Sequence, residues 1–197
     1  MLDFLNHALN IYEYGSVVYG TYIDGKSDKD YIVIVPNEYI INTAQVEYGN
    51  CHYNIFHVAQ WQQKLNNNEV DAIEVYFMPK KHVIKESIVF TTELFQSKIR
   101  EQFSRTASNS WVKCKKKLVV EDSFNPRVGK KSLWHALRII EFGTQILLKG
   151  SIQNYGSLNY LYDEIVNNDN NNWEHYQNNY QTIYNKMKTV FRLAEKE

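Results

Sequence analysis

Cysteine is scarce in this chain, with only Cys51 and Cys114 among 197 residues. Far apart and without a second pair, they argue against a disulfide scaffold or a zinc cluster and suit a reducing compartment. Positive charge is not in excess either, because Lys+Arg and Asp+Glu both count 22. That balance does not indicate a globally basic nucleic-acid binder, though it allows local basic patches. No apolar run approaches the length of a membrane span, and the opening MLDFLNHALN is too polar for a signal peptide. The expectation is a cytoplasmic protein with no membrane partner. What the chain does have is a hydrophobic fraction of 44% and an aromatic fraction of 14%. Those values fit a folded core and exclude a disordered chain.

The pattern of apolar residues divides the chain. Leu2, Leu5 and Leu9 have helical spacing over residues 2–10, and Ile11 to Tyr14 reads as a short strand. Tyr31 to Val35 is apolar throughout and bounded by Pro36, as a buried strand would be. Gln45 to Tyr48 and Cys51 to Val58 flank Gly49-Asn50, a pair suited to a two-residue hairpin turn. Such a turn sets Tyr48 opposite Cys51, Glu47 opposite His52 and Gln45 opposite Asn54, so Glu47, His52 and Asn54 share one side of the sheet. A helix is predicted over Val58 to Leu65, ended or interrupted by Asn66-Asn67-Asn68. Ala72 to Phe77 is compatible with strand or helix.

Beyond roughly residue 90 the character becomes helical. Glu93 to Lys117 predicts one or two helices, Ser123 to Gly129 a loop, and Lys130 to Lys149 a helix closed by Gly150. Leu133, Leu137, Ile140 and Leu147 form its apolar stripe. Residues 167–172 (NNDNNN) read as a polar loop, and a last helix covers Trp173 to Ala194. The expected fold class is α+β. A small mixed β-sheet core over residues 1–90 is flanked by helices, and a helical C-terminal region over 91–197 follows it.

The chemistry concentrates in residues 15–30, GSVVYGTYIDGKSDKD. Asp28 and Asp30 are two apart as the chain enters a strand, which points both carboxylates to one side. Two acids held so close are costly unless a cation is shared between them, and oxygen ligands favour Mg²⁺ or Mn²⁺. Gly15-Ser16, following a strand, offers backbone N–H groups and a hydroxyl to a phosphate at close approach. A phosphate cradle beside a carboxylate pair is the equipment of metal-assisted phosphoryl or nucleotidyl transfer.

Gly15-Ser16, Gly20-Thr21 and Ser27-Asp28-Lys29-Asp30 before an apolar strand resemble the signature of the DNA polymerase beta-like nucleotidyltransferase superfamily. Within it, GSVVYG…SDKDY is similar to the form found in predicted nucleotidyltransferases associated with RNA ligases. NIFHVAQWQQKLNNNEVDAIEVYF and KKSLWHALRIIEFGTQILLKG resemble later segments of that family, so the likeness covers about residues 11 to 150. The resemblance implies a nucleotidyltransferase core whose cleft is closed by the helical C-terminal part. It implies transfer of a nucleoside monophosphate from an NTP, with ATP the preferred guess, to an acceptor hydroxyl, with release of pyrophosphate. Asp28 and Asp30 would hold the metal, and Gly15, Ser16 and Ser27 would bind nucleotide. Lys131, His135 and Arg138 match the family's C-terminal helix and would add nucleotide contacts.

The chain departs from the family at Val17, where Arg is usual, and in having no acid on the strand His52 to Val58. Glu47, facing His52 across the hairpin, is the candidate third carboxylate, as metal ligand and as base toward the acceptor hydroxyl. The basic stretch Lys113, Lys115, Lys116 and Lys117 is a candidate contact for an RNA acceptor, tRNA included. A protein acceptor, adenylylated as by an antitoxin-like enzyme, and a nucleotide- or RNA-binding module with a decayed site are the alternatives.

Overall fold

The computed structural model describes residues 2–195. The chain divides into two units, Met1–Leu94 and Phe95–Glu197, with an α+β first unit and a wholly helical second.

The first unit opens with α1 (Asp3–His7), shorter than the spacing of leucines predicts. Ala8 is already extended, because Asn10 is drawn into the sheet. Strands β1 (Asn10–Tyr14), β2 (Lys29–Val35), β3 (Gln45–Tyr48), β4 (Cys51–His57) and β5 (Val83–Glu86) form one mixed sheet in the order β3-β4-β2-β1-β5. The β2–β4 pair is parallel and the other three pairs are antiparallel. The hairpin register is as predicted, with Glu47 opposite His52 and Gln45 opposite Asn54.

Alternation along β2 gives the sheet two different faces. Val33 and Val35 join Ile55, Phe4 and Ala8 in a core beneath α1. Ile32 and Ile34 face the other way, and the row they share with Asp30 becomes half-exposed at the Asp30 end. Short helices α2 (Ser16–Tyr19), α3 (Val58–Asn66) and α4 (Val70–Tyr76) complete the unit. The ambiguous segment Ala72 to Phe77 is thus mostly helical. Asn68, at φ 54, supplies the left-handed residue that separates α3 from α4. Strand β5 is held by Asn10, whose buried amide accepts from the N–H of Ser87 and of Ile88 and donates to the Ile88 carbonyl.

The second unit packs α5 (Gln96–Val119), α6 (Pro126–Lys149), α7 (Asn159–Val166) and α8 (Trp173–Leu193). One unbroken α5 meets the expectation of one or two helices here. The segment read as a loop as far as Gly129 is helical from Pro126 onward. Proline fits the first helical turn, where its missing N–H costs nothing, and the Asn125 side chain caps the N–H of Val128 at 3.1 Å. Gly129 sits in a tight contact, since a Cβ there would meet Leu118 Cγ at 3.1 Å. Leu133, Leu137, Ile140 and Leu147 are all buried, and Gly150 ends α6 in the left-handed conformation at φ 75. Both cysteines are free, and burial pushes the Cys114 thiol up to about 12. Among the described residues no helix is long and apolar enough to cross a membrane.

Candidate active site

The glycine of the Gly15-Ser16 pair sits where β1 ends, one residue past Tyr14, which pairs with Asp30 in the sheet. Its φ of 67 and ψ of −138 are open only to glycine. A Cβ at Gly15 would also run into the Asp30 carboxylate, lying 3.2 Å from Cγ. The turn and the carboxylate therefore touch. Sequence spacing predicts their association, and antiparallel β1–β2 pairing produces it. After Gly15 the chain makes the single turn of α2, in which the Gly15 carbonyl accepts from Val18 and Tyr19.

A buried glutamate fixes this turn from behind. Glu74 on α4 is 1% exposed, and its Oε2 accepts from Tyr14 Oη at 2.9 Å and Tyr19 Oη at 2.5 Å. Sequence reasoning missed it. Ser27 has a local role as well: its Oγ accepts from the Ile23 N–H at 3.1 Å, closing the turn that delivers Asp28 and Asp30. The O–H of Ser27 stays available as a donor. Asp28 is exposed and immediately precedes β2.

Across the sheet, Asp30, His52 and Glu47 form a row over β2, β4 and β3. His52 Nδ1 stands 3.6 Å from Asp30 Oδ1, and its Nε2 stands 3.9 Å from Glu47 Oε1. The imidazole therefore lies between the two carboxylates, and Glu47, the candidate third carboxylate, meets His52 as the hairpin register predicts. Glu47 is 81% exposed, while Asp30 and His52 are each about one-third exposed, at 34% and 37%. Beside them, Gln45 donates to Asn54 Oδ1 at 3.1 Å.

A divalent ion suits the oxygen chemistry at Asp28 and Asp30, since Mg²⁺ is commonly held by one or two carboxylates plus substrate phosphates and water. Among the described residues no group of three or more His, Cys, Asp or Glu is placed to hold an ion. An apolar pocket lined by Phe4, Tyr39, Ile41, Val46 and Ile55 lies on the α1 side of the sheet, opposite the Asp30 row, and has no part in this chemistry.

No protein-family model and no curated protein matches the chain.

Within the second unit, Lys131, His135 and Arg138 follow one another along α6. Arg138 is 4% exposed, flanked by the rings of Trp134 and Phe142, and its Nη2 lies 3.2 Å from His135 Nδ1. Burial holds the His135 pKa well below its ordinary value, and Arg138, Lys131 and Lys113 add to the effect. His135 is therefore neutral, with Nδ1 accepting from the guanidinium. Lys113, Lys115 and Lys116 are exposed on α5, and Lys117 is half-buried. Trp111, just before them, stacks on Tyr184 at 4.5 Å and meets Trp173 edge-on, so its ring belongs to helix packing.

Proposed function

We propose that the protein is a metal-dependent nucleotidyltransferase that moves a nucleoside monophosphate from an NTP, ATP preferred, to the hydroxyl of an RNA acceptor. The observation that carries this reading is the contact between the Gly15 backbone and the Asp30 carboxylate. It puts a glycine-serine turn able to bind phosphate against an acid able to share a cation with that phosphate. A bare backbone is what such a contact demands, and the left-handed φ of Gly15 together with the missing Cβ supplies it.

In this mechanism the Gly15-Ser16 turn binds the outgoing phosphates through N–H groups and the Ser16 hydroxyl. Asp28 and Asp30 would hold Mg²⁺ or Mn²⁺, which when bound neutralises charge on the triphosphate. The acceptor oxygen attacks the α-phosphorus in line, forming a P–O bond as the bond to the β-phosphate oxygen breaks and pyrophosphate leaves. Ser27 contributes its O–H, and Glu74, through Tyr14 and Tyr19, keeps the turn in place. Within the second unit, Lys131, Arg138 and neutral His135 stay candidate nucleotide contacts on the strength of the family resemblance. The exposed lysines of α5 suit an RNA backbone.

The absence of an acid on β4 favours a second reading, a nucleotide- or RNA-binding module without transfer activity. Incubation with each labelled NTP, Mg²⁺ or Mn²⁺, and RNA or whole-cell protein separates the two. Labelled RNA that disappears in an Asp28→Asn/Asp30→Asn variant supports the transferase, and label on protein redirects the acceptor. NTP binding with no transfer under any metal supports the module.

A further inference from the structure

We infer that His52, not a third carboxylate, is the partner of Asp30 in binding the divalent ion, so that the site selects Mn²⁺ over Mg²⁺. This rests on the nucleotidyltransferase reading for the kind of ion and for the phosphate oxygens that complete its shell. The inference itself concerns one pair of atoms. Two donors on one ion, with bonds of about 2.1 Å, stand roughly 3.0–3.5 Å apart. Asp30 Oδ1 and His52 Nδ1 are 3.6 Å apart, too long for a hydrogen bond and within a small side-chain adjustment of that separation.

Two further observations fit the pair to this role. Asp30 Oδ2 is backed by Gly15, which leaves Oδ1 as the oxygen directed toward the ring. The other ring nitrogen, Nε2, faces Glu47 Oε1 at 3.9 Å, an ion-pair separation that a small side-chain adjustment brings to a hydrogen bond. A ligating histidine characteristically gives its second nitrogen to a carboxylate, which fixes the tautomer and turns the free nitrogen to the ion. Glu47 then acts through His52 as a positioning residue. Parallel pairing of β2 with β4 sets the arrangement, because Asp30 and His52 are direct register partners on rigid strands. A nitrogen donor beside oxygen donors favours a first-row transition ion over Mg²⁺, which takes oxygen ligands almost alone.

Titrating the 197-residue chain with Mn²⁺ alone, while following the free-ion signal by electron paramagnetic resonance, tests the site without reference to activity. Pulsed measurement on the bound ion then reads ¹⁴N coupling from a coordinated imidazole. Wild type is expected to bind one Mn²⁺ with nitrogen coupling and to resist displacement by Mg²⁺. His52→Ala should lose the coupling and bind Mn²⁺ about tenfold or more weaker. His52→Asp, whose circular dichroism reports folding, should bind without coupling and accept Mg²⁺ more readily. Glu47→Gln should keep the coupling but weaken binding by about tenfold. Bound Mn²⁺ without nitrogen coupling in wild type, unchanged affinity in His52→Ala, or no Mn²⁺ binding at all overturns the inference. Nucleotide transfer without coupling would leave the transferase standing and remove His52, and coupling without transfer would do the reverse.

Discussion

Asp30 Oδ2 occupies the space into which a Cβ on Gly15 would project. Because Gly15 also has φ 67, an alanine there is strained twice, by the backbone and by the carboxylate. Gly15→Ala is expected to destabilise the first unit by about 1–3 kcal/mol. It should also abolish nucleotide transfer, because Asp30 must move to make room. Denaturant midpoints and labelled-NTP transfer measured on one preparation check both. A variant with full stability and full activity would show that the turn and the acid do not work as a unit.

The Glu74 cluster predicts a separable effect. Tyr19 Oη donates to Glu74 at 2.5 Å inside the core, and leaving a buried acceptor short of a partner costs about 1–3 kcal/mol. Tyr19→Phe should cost stability in that range while leaving metal binding intact, since Glu74 lies behind the turn and not at the row of Asp30. Chemical denaturation gives the first quantity and Mn²⁺ titration the second. An unchanged midpoint would mean that the carboxylate is held well enough by its other partners.

Neutral His135 makes stability fall on the acid side. Its folded pKa is lowered from 6.5 by burial and by Arg138, Lys131 and Lys113, so below that pH the unfolded chain binds the extra proton. Stability contributed by the neutral ring is complete above pH 6.5. It is lost on acidification toward the folded pKa, by up to about 1.4 kcal/mol per pH unit. His135→Gln retains an acceptor for Arg138 and has no proton to take up, so its denaturation midpoint should fall less steeply than wild type between pH 7 and pH 5. Parallel curves would refute the assignment.

Local signals carried much of this fold. Gly49-Asn50 between alternating strands set the β3–β4 register, and the apolar run at Tyr31 to Val35 marked the central strand. Gly150 marked the end of α6. What lacked a local signal is held by distant partners. Strand β5 exists because Asn10 binds Ser87 and Ile88 across the sequence, and α7 has the Trp134 ring edge-on to Tyr162. At the candidate site the motif located Gly15, Asp28 and Asp30. The position of His52 between Asp30 and Glu47 needs both neighbours of β4, and only the hairpin side could be read locally. Parallel β2–β4 pairing joins residues that no turn connects.

Gly143, in the middle of α6, predicts a packing effect in the second unit. A Cβ there would come within 2.6 Å of Phe191 on α8 and 3.0 Å of Phe103 on α5, and both rings are fully buried. Three helices thus converge on a position that tolerates no side chain. In an exposed helix alanine would be preferred to glycine by about 1 kcal/mol, so the two effects oppose each other. Displacing two fully buried rings costs about 1–3 kcal/mol and outweighs the helix preference. Gly143→Ala should therefore lower the thermal midpoint, and Gly143→Val should lower it further. An alanine variant more stable than wild type would show that α5 and α8 can move apart around the extra methyl.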